Sequence, residues 1–135
     1  MEDSVYMRRA RMEANILQGF ADAQKLLHDT ARKAGWYQNP ETGEVVDRSF
    51  GEVIALMHSE LSEALEAYRK DKLDDHLPDR LGVEVELADC IIRILDTAEY
   101  LGLDIGDAIL AKNRYNEQRQ DHKLENRAKT GGKKF

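Results

Sequence analysis

The chain has 135 residues, with 20 Lys and Arg against 26 Asp and Glu, so its formal net charge is −6. This length is typical of one domain, and an acidic chain has the wrong charge for binding duplex nucleic acid through its phosphates. No apolar stretch approaches the roughly 18 to 20 residues that cross a bilayer, and the first residues lack a secretory pattern. A single cysteine, Cys90, agrees with a reducing compartment. We therefore expect a cytoplasmic protein whose partners include neither nucleic acid nor a membrane.

Helical periodicity dominates the first quarter of the chain. Apolar residues recur at three- and four-residue steps and predict a helix from about residue 9 to residue 34, which Gly35 ends. The segment that follows contains Asn39-Pro40-Glu41-Thr42-Gly43, whose residues favour a turn with a short hairpin around it. The apolar stripe of this helix consists of Leu17, Phe20, Ala23, Leu27, Ala31 and Ala34.

Two further helices are predicted in the middle of the chain. Ser49, with Glu52 three residues later, forms a capping box that starts a second helix reaching about Lys70. Asp79 follows a polar segment and is predicted to cap a third helix that ends near Leu101. Their predicted core faces are Ile54, Met57, Leu61, Leu65 and Tyr68 on the second helix, and Val83, Leu87, Cys90, Ile91, Ile94, Ala98 and Leu101 on the third.

A fourth helix is predicted over residues 105 to 119, with Asp104 as its cap. The sequence therefore favours an all-α fold, a bundle of four to five helices in a domain of residues 1–120. Residues 121–135 have no sustained apolar period. We expect them to form a flexible tail that substrate or a neighbouring subunit orders.

Four acidic residues carry the clearest chemical signal. Glu60 and Glu63 are three residues apart on the second helix, and Glu86 and Asp89 are three residues apart on the third. Each pair shares one helix face, so two packed helices would direct four carboxylates toward one point. Their repulsion requires a counter-charge, and an all-oxygen site suits Mg²⁺ or Mn²⁺ better than structural zinc. Acids on exposed helix faces are also ordinary solvated charge, and the spacing alone leaves both interpretations open.

A family resemblance favours the metal interpretation. The runs LMHSELSEALEAYRK, VEVELADCIIRILD and AKNRYNEQR, followed by a terminal GGKKF, resemble the MazG-like branch of the all-α nucleoside triphosphate pyrophosphohydrolases over about residues 50 to 135. The resemblance implies that Glu60, Glu63, Glu86 and Asp89 bind Mg²⁺. It also implies hydrolysis of (deoxy)nucleoside triphosphates to a monophosphate and pyrophosphate, in homodimers or homotetramers whose subunits share the substrate contacts.

Substrate contacts are expected on the fourth helix. Lys112, Asn116 and Arg119 lie on one stripe and resemble the Lys, Asn and Arg substrate motif of that family. These side chains can bind phosphate, sugar or base, although the same stripe could be a solvated polar face. The tail departs from the family pattern, because Thr130 stands where a His is common. Trp36 could stack on a base, with a core position as its alternative.

Other polar residues near the acids carry weaker signals. Arg93 and Asp96 continue the face of the second acid pair, so Arg93 is expected to orient a carboxylate, touch phosphate or form a plain salt bridge. His58 is interpreted as a packing or hydrogen-bonding residue rather than a general base. Cys90 lies in an apolar stripe and is expected to be a small buried residue. Glu63 is our choice for the acid nearest the attacking water.

Three alternatives remain. A di-iron bundle also directs acids inward, but it requires Glu-x-x-His motifs, and the corresponding positions here are Glu63 and Asp89. A non-catalytic helical binding protein would carry the acids as surface charge. A related pyrophosphohydrolase, of the phosphoribosyl-ATP or the dUTP/dCTP type, would use the same acids on another substrate. The sequence does not identify the base or the sugar.

Overall fold

Helices dominate residues 4–135, the part of the chain that the computed structural model describes, and no β-strand is formed within that range. The predicted all-α class is confirmed, and so are the four long helices. They are α1 (Val5–Lys33), α2 (Phe50–Arg69), α3 (Gly82–Tyr100) and α4 (Ile105–Gln118), followed by a 3₁₀ helix (Gln120–His122) and the short α5 (Leu124–Arg127).

Local sequence signals account for most helix ends. The side chain of Ser49 accepts a hydrogen bond from the backbone N–H of Glu52 at the start of α2. At the start of α4, Asp104 accepts from the backbone N–H of Asp107 at 3.0 Å. Gly35, whose φ is 86°, follows the last turn of α1, where a left-handed residue suits glycine best. These caps confirm the predicted starts of α2 and α4 and the predicted end of α1.

The segment between α1 and α2 forms the expected hairpin. Gln38 and Val45 make an isolated antiparallel bridge. The Asn39 side-chain oxygen accepts hydrogen bonds from the backbone N–H groups of Glu41 at 2.8 Å and Thr42 at 3.1 Å. The turn is therefore held by the side chain of its first residue, as asparagine commonly does.

The predicted cap of α3 is wrong. Asp79 does not cap the helix, which begins at Gly82 with Leu81 in an extended conformation and no side-chain cap. Leu81 pairs with Leu73 in an antiparallel bridge, so the chain stays extended up to Gly82. A Cβ at Gly82 would lie 3.1 Å from the Cβ of Ala67. The start of α3 is therefore set by close packing against α2 and not by a local capping residue.

The chain divides into two compact units. One consists of the chain up to Ala21 together with Asp104–Phe135, and the other consists of Asp22–Leu103. In the first unit Leu110 is buried, and Gly106 approaches Phe20 so closely that a Cβ there would lie 2.9 Å from the Cβ of Phe20. The second unit contains α2 and α3, which carry the predicted acids.

Small side chains fill the contact between α2 and α3. The buried residues on these helices include Val53, Ala64, Ala67, Cys90 and Ala98. The prediction that the larger apolar residues form the core face is wrong for an important subset, which is exposed. This subset consists of Leu61, Leu65 and Tyr68 on α2 and Leu87, Ile91 and Leu101 on α3. Alanine and glycine let the helices approach closely, and this approach turns the bulkier stripes toward the surface.

Candidate metal centre

Three carboxylates meet where α2 packs on α3. Glu60 and Glu63 lie one turn apart on α2 and Glu86 lies on α3, and one ligand oxygen from each lies within 4.8 Å of the others. We call these residues the carboxylate trio. Asp89, one turn after Glu86, is not part of the trio but lines a cavity together with Glu60. The structure thus brings together three of the four predicted ligands, and the role of Asp89 stays a prediction.

The trio is electrostatically strained without a cation. Burial, the charge of Glu63 and a hydrogen bond with Glu60 raise the pKa of Glu86 to about 7. Burial and the charge of Glu60 also raise the pKa of Asp89. Carboxylates this close resist being ionised together, and a cation relieves that repulsion. Because all three ligands are oxygens, the trio suits a hard divalent cation.

Arg93 already supplies part of the counter-charge. Its Nε lies 2.7 Å from Oε1 of Glu60, which is buried. The salt bridge considered for Arg93 from the sequence is therefore confirmed. Since a carboxylate has two oxygens, this ion pair leaves the second oxygen of Glu60 able to ligate a cation. The same contact fixes the orientation of the Glu60 carboxylate.

Glu63 and Glu86 line one pocket, and Glu60 and Asp89 line another, a cavity of about 340 Å³. Its polar lining includes Glu60, Asp89 and Arg93, and its other walls are largely apolar. Trp36 also lines it and is 66% exposed. The alternative that Trp36 is a core residue is therefore wrong. An aromatic ring at the edge of a largely apolar cavity can pack against a flat ligand.

A buried polar network forms another part of the cavity wall, and the sequence did not reveal it. Asp96 is buried, and its Oδ1 accepts hydrogen bonds from Nδ1 of His28 and from the Tyr37 hydroxyl, each at 2.8 Å. Arg48 lies 3.6 Å from its other oxygen. Burial and the bond to Asp96 raise the pKa of Tyr37 to about 12. The only sequence signal was that Asp96 continues the acid face of α3, and periodicity cannot identify partners from distant segments.

Of the predicted substrate stripe, Lys112 and Asn116 lie on α4, in the first unit. The prediction that Arg119 continues this helix is wrong, because Arg119 follows the end of α4 with an extended backbone. Lys112 lies 4.6 Å from the ring centroid of Tyr115. Arg119 donates two hydrogen bonds to Asp121, from Nε at 3.0 Å and from Nη2 at 2.6 Å. The side-chain oxygen of Asn116 is buried and has no hydrogen-bond partner within the described residues 4–135. A buried acceptor without a donor is costly, so this oxygen is an unsatisfied polar atom at the predicted stripe.

Two other residues singled out in the sequence have no place in the trio. Cys90 is buried, as expected, and its Sγ lies 3.7 Å from the backbone oxygen of Met57. The side chain of His58 is exposed, so the packing role predicted for it is wrong. Neither residue lines the cavity beside the acids.

Within residues 4–135, none of the helices combines the length and apolar character needed to span a bilayer. Comparison with family models, curated proteins and solved structures finds no match for this chain. The functional argument therefore rests on the geometry of the site.

Proposed function

We propose that this chain is a Mg²⁺-dependent hydrolase of nucleoside triphosphates, which releases a nucleoside monophosphate and pyrophosphate. The observation that carries the proposal is the convergence of Glu60, Glu63 and Glu86, of which Glu60 also lines the cavity edged by Trp36. The trio suits a cation that binds phosphate oxygens, and the cavity suits a planar base. Both features lie in the unit Asp22–Leu103.

The acids have distinct tasks in this proposal. Glu60, Glu63, Glu86 and Asp89 hold Mg²⁺, which when bound offsets the negative charge on the phosphate oxygens. Glu63 is the most exposed member of the trio and accepts the proton of the attacking water. The water oxygen forms a bond to the α-phosphorus while the bond from that phosphorus to the bridging oxygen of pyrophosphate breaks. Arg93 keeps Glu60 in position through its ion pair.

The α4 stripe supplies contacts to substrate. In this proposal Lys112 and Arg119 contact the substrate phosphates and Asn116 contacts the sugar or base, in an assembly whose subunits share the substrate contacts. Asp121, which holds Arg119 in the free protein, is the anion that a phosphate would replace. Lys133 from the tail also lies 2.9 Å from Asp121, so the same exchange would free a second cation.

A homodimer or homotetramer is part of the proposal. Leu61, Leu65 and Ile91 are 46%, 60% and 52% exposed. Apolar side chains at this density on two neighbouring helices favour burial against another copy of the chain.

Pyrophosphate release from a panel of ribo- and deoxynucleoside triphosphates, with Mg²⁺ and with EDTA, tests the proposal. We expect Mg²⁺-dependent release that Glu63→Gln abolishes. Glu66→Gln is the matched control, because Glu66 lies one turn from Glu63 on the same helix and pairs with Lys70 instead. Absence of release from every triphosphate would contradict the proposal. If Mn²⁺ binding persisted in that case, the non-catalytic binding protein would be favoured.

A further inference from the structure

The guanidinium of Arg48 is held in the wall of the cavity. Its side chain is 19% exposed, its Nη1 lies 3.6 Å from Oδ2 of Asp96, and its Cζ lies 5.5 Å from the ring centroid of Tyr37. An ion pair on one side and an aromatic face on another limit the orientations of the planar group. Arg48 lines the cavity as a positioned cation, unlike a flexible surface arginine.

Asp96 acts on Arg48 and is not itself a free acceptor for a ligand. Its Oδ1 already receives two hydrogen bonds, from His28 and Tyr37. Its Oδ2 faces Arg48. A guanidinium has five N–H donors and no acceptor, and one carboxylate engages at most two of them side by side. Arg48 also makes a side-chain hydrogen bond with Tyr37, and its other donors remain for a ligand in the cavity.

The rest of the cavity suits a planar ring. Leu27, Ala31 and Ile92 form apolar walls, and Trp36 lies at the same cavity. Asp96 is seven residues after Asp89 on α3, which corresponds to about 10 Å along the helix axis. Asp96, which holds Arg48, is thus about two helix turns from Asp89 along α3, a spacing comparable to that between the phosphates and the base of a nucleotide.

We infer that Arg48, positioned by Asp96, selects guanine and uracil over adenine and cytosine. Guanine carries an exocyclic oxygen at C6, where adenine carries an amino group, and uracil carries one at C4, where cytosine carries an amino group. This inference rests on the proposed function and names its substrate class. Guanine offers O6 and N7 as adjacent acceptors for two parallel N–H donors. Uracil offers a carbonyl oxygen at the position where cytosine has an amino group. An amino group would point its own hydrogens at the guanidinium, which cannot accept them.

Trp36 provides a direct measurement of base binding. It is the only tryptophan in the 135 residues, so its fluorescence reports on this cavity when the full chain is titrated with GMP, AMP, UMP or CMP. EDTA is present, which makes the result independent of metal and of hydrolysis. We expect GMP to bind more tightly than AMP, and UMP more tightly than CMP, each by roughly five- to a hundredfold.

Substitution of Arg48 then tests the cause of the preference. Arg48→Gln should bring the GMP and AMP dissociation constants close together, and Arg48→Lys should retain part of the difference because a point charge replaces the paired donors. Asp96→Asn should reduce the preference by releasing Arg48. Arg32→Gln, at an exposed arginine of α1 outside the cavity, should leave it unchanged. Circular dichroism establishes that each variant keeps its helices. If Arg48→Gln is not folded, Arg48→Lys decides.

The outcomes separate this inference from the proposed function. Equal binding of all four monophosphates, no binding of any, a preference that survives Arg48→Gln, or a preference that Arg48→Lys leaves as large as in the wild type would overturn the inference. Pyrophosphate release by such a protein would still support the proposed function. The converse result is a preference for GMP through Arg48 without release of pyrophosphate from any triphosphate. That result would support the inferred base specificity and contradict the proposed hydrolase activity.

Discussion

Arg93 donates a hydrogen bond from Nε to Oε1 of Glu60 at 2.7 Å and thereby joins α3 to α2 beside the carboxylate trio. Glu60 is buried, whereas Arg93 is partly exposed. The pair is therefore intermediate between a surface salt bridge, which contributes little to folding stability, and a buried salt bridge, which destabilises the protein when one partner is removed.

Removing one partner of this pair should destabilise the protein more than removing both. We expect Arg93→Met to lower the free energy of unfolding by about 1 to 2 kcal/mol, after allowance for solvent screening, because Glu60 loses its partner. Adding Glu60→Leu should recover most of the loss. Urea denaturation of the wild type, both single variants and the double variant gives the coupling energy. Additive effects would mean that the two side chains do not interact in solution.

The raised pKa of Glu86 makes a prediction about pH. A carboxyl whose pKa rises to about 7 in the folded state holds its proton more tightly when folded than when unfolded. This group therefore lowers stability as the pH rises from about 4.5 to 7, and the deficit persists above that range. Near pH 8 in EDTA, Glu86→Gln should raise the free energy of unfolding by roughly 1 kcal/mol, after allowance for the partial exposure of Glu86. This corresponds to a rise of about 4 °C in the melting temperature. The difference should vanish near pH 4.

The control for this prediction is Glu84→Gln, since Glu84 is exposed on the same helix and pairs with Arg80. The melting temperature of Glu84→Gln relative to the wild type should be the same near pH 8 and near pH 4. A Glu86→Gln variant no more stable than wild type near pH 8 would mean that the trio is not strained.

Metal binding should depend on the acids individually. We expect Glu60→Gln, Glu63→Gln, Glu86→Gln and Asp89→Asn each to weaken Mn²⁺ binding measured by calorimetry while helicity is retained, because each removes a charged ligand. Mg²⁺ should raise the melting temperature of the wild type but not of these four variants. Glu66→Gln should bind Mn²⁺ as the wild type does. Unchanged binding or turnover in Asp89→Asn would remove Asp89 from the ligand set.

The α4 stripe should affect substrate but not metal. Arg119→Ala should lower kcat/KM by roughly ten- to a hundredfold, since charge-assisted hydrogen bonds contribute about 1.5 to 3 kcal/mol. Lys112→Ala should also lower it, and Asn116→Ala should change the ranking among nucleotides with a smaller loss for the best one. Lys123→Ala removes the same charge from an exposed position outside the stripe and is the control. If all three stripe variants matched the wild type on every triphosphate, the stripe would be an ordinary solvated helix face.

The exposed apolar residues of α2 and α3 predict self-association. Light scattering should give a mass at least twice the 15.4 kDa of one chain. Leu65→Glu and Ile91→Glu should shift the protein toward the monomer, because each places a charge where apolar surface would be buried. Val45→Glu, at the exposed hairpin between α1 and α2, should not. A wild-type protein that is monomeric at micromolar concentration would contradict the shared-subunit part of the proposal.

Local chemistry made much of the secondary structure predictable. Ser49 and Asp104 cap their helices through their own side chains, and Asn39 binds the backbone two and three residues ahead. Each of these interactions spans only a few residues, so its signal is present in the sequence around it. The spacing of the acids on α2 and α3 is local in the same sense, and it predicted which side chains share a helix face.

Contacts between distant segments were decided only by the tertiary structure. Asp79 does not cap α3, because the bridge between Leu73 and Leu81 keeps the chain extended up to the helix. Leu65 is exposed because Ala64 and Ala67 are the residues that pack against α3. Periodicity identifies an amphipathic helix but does not say which of two adjacent faces meets a neighbour. That choice depends on how closely the partner can approach.

The buried network at Asp96 also depends on contacts between distant segments that the local sequence does not show. From the sequence, Asp96 was only one more acid along α3, and Tyr37 was an aromatic residue after a helix. Folding places His28, Tyr37 and Arg48 around its carboxylate, where burial makes every polar contact matter. The sequence by itself determined the helices and the faces that carry the acids. Only the tertiary structure decided which polar groups were withdrawn from water, because burial is a property of the packed elements together.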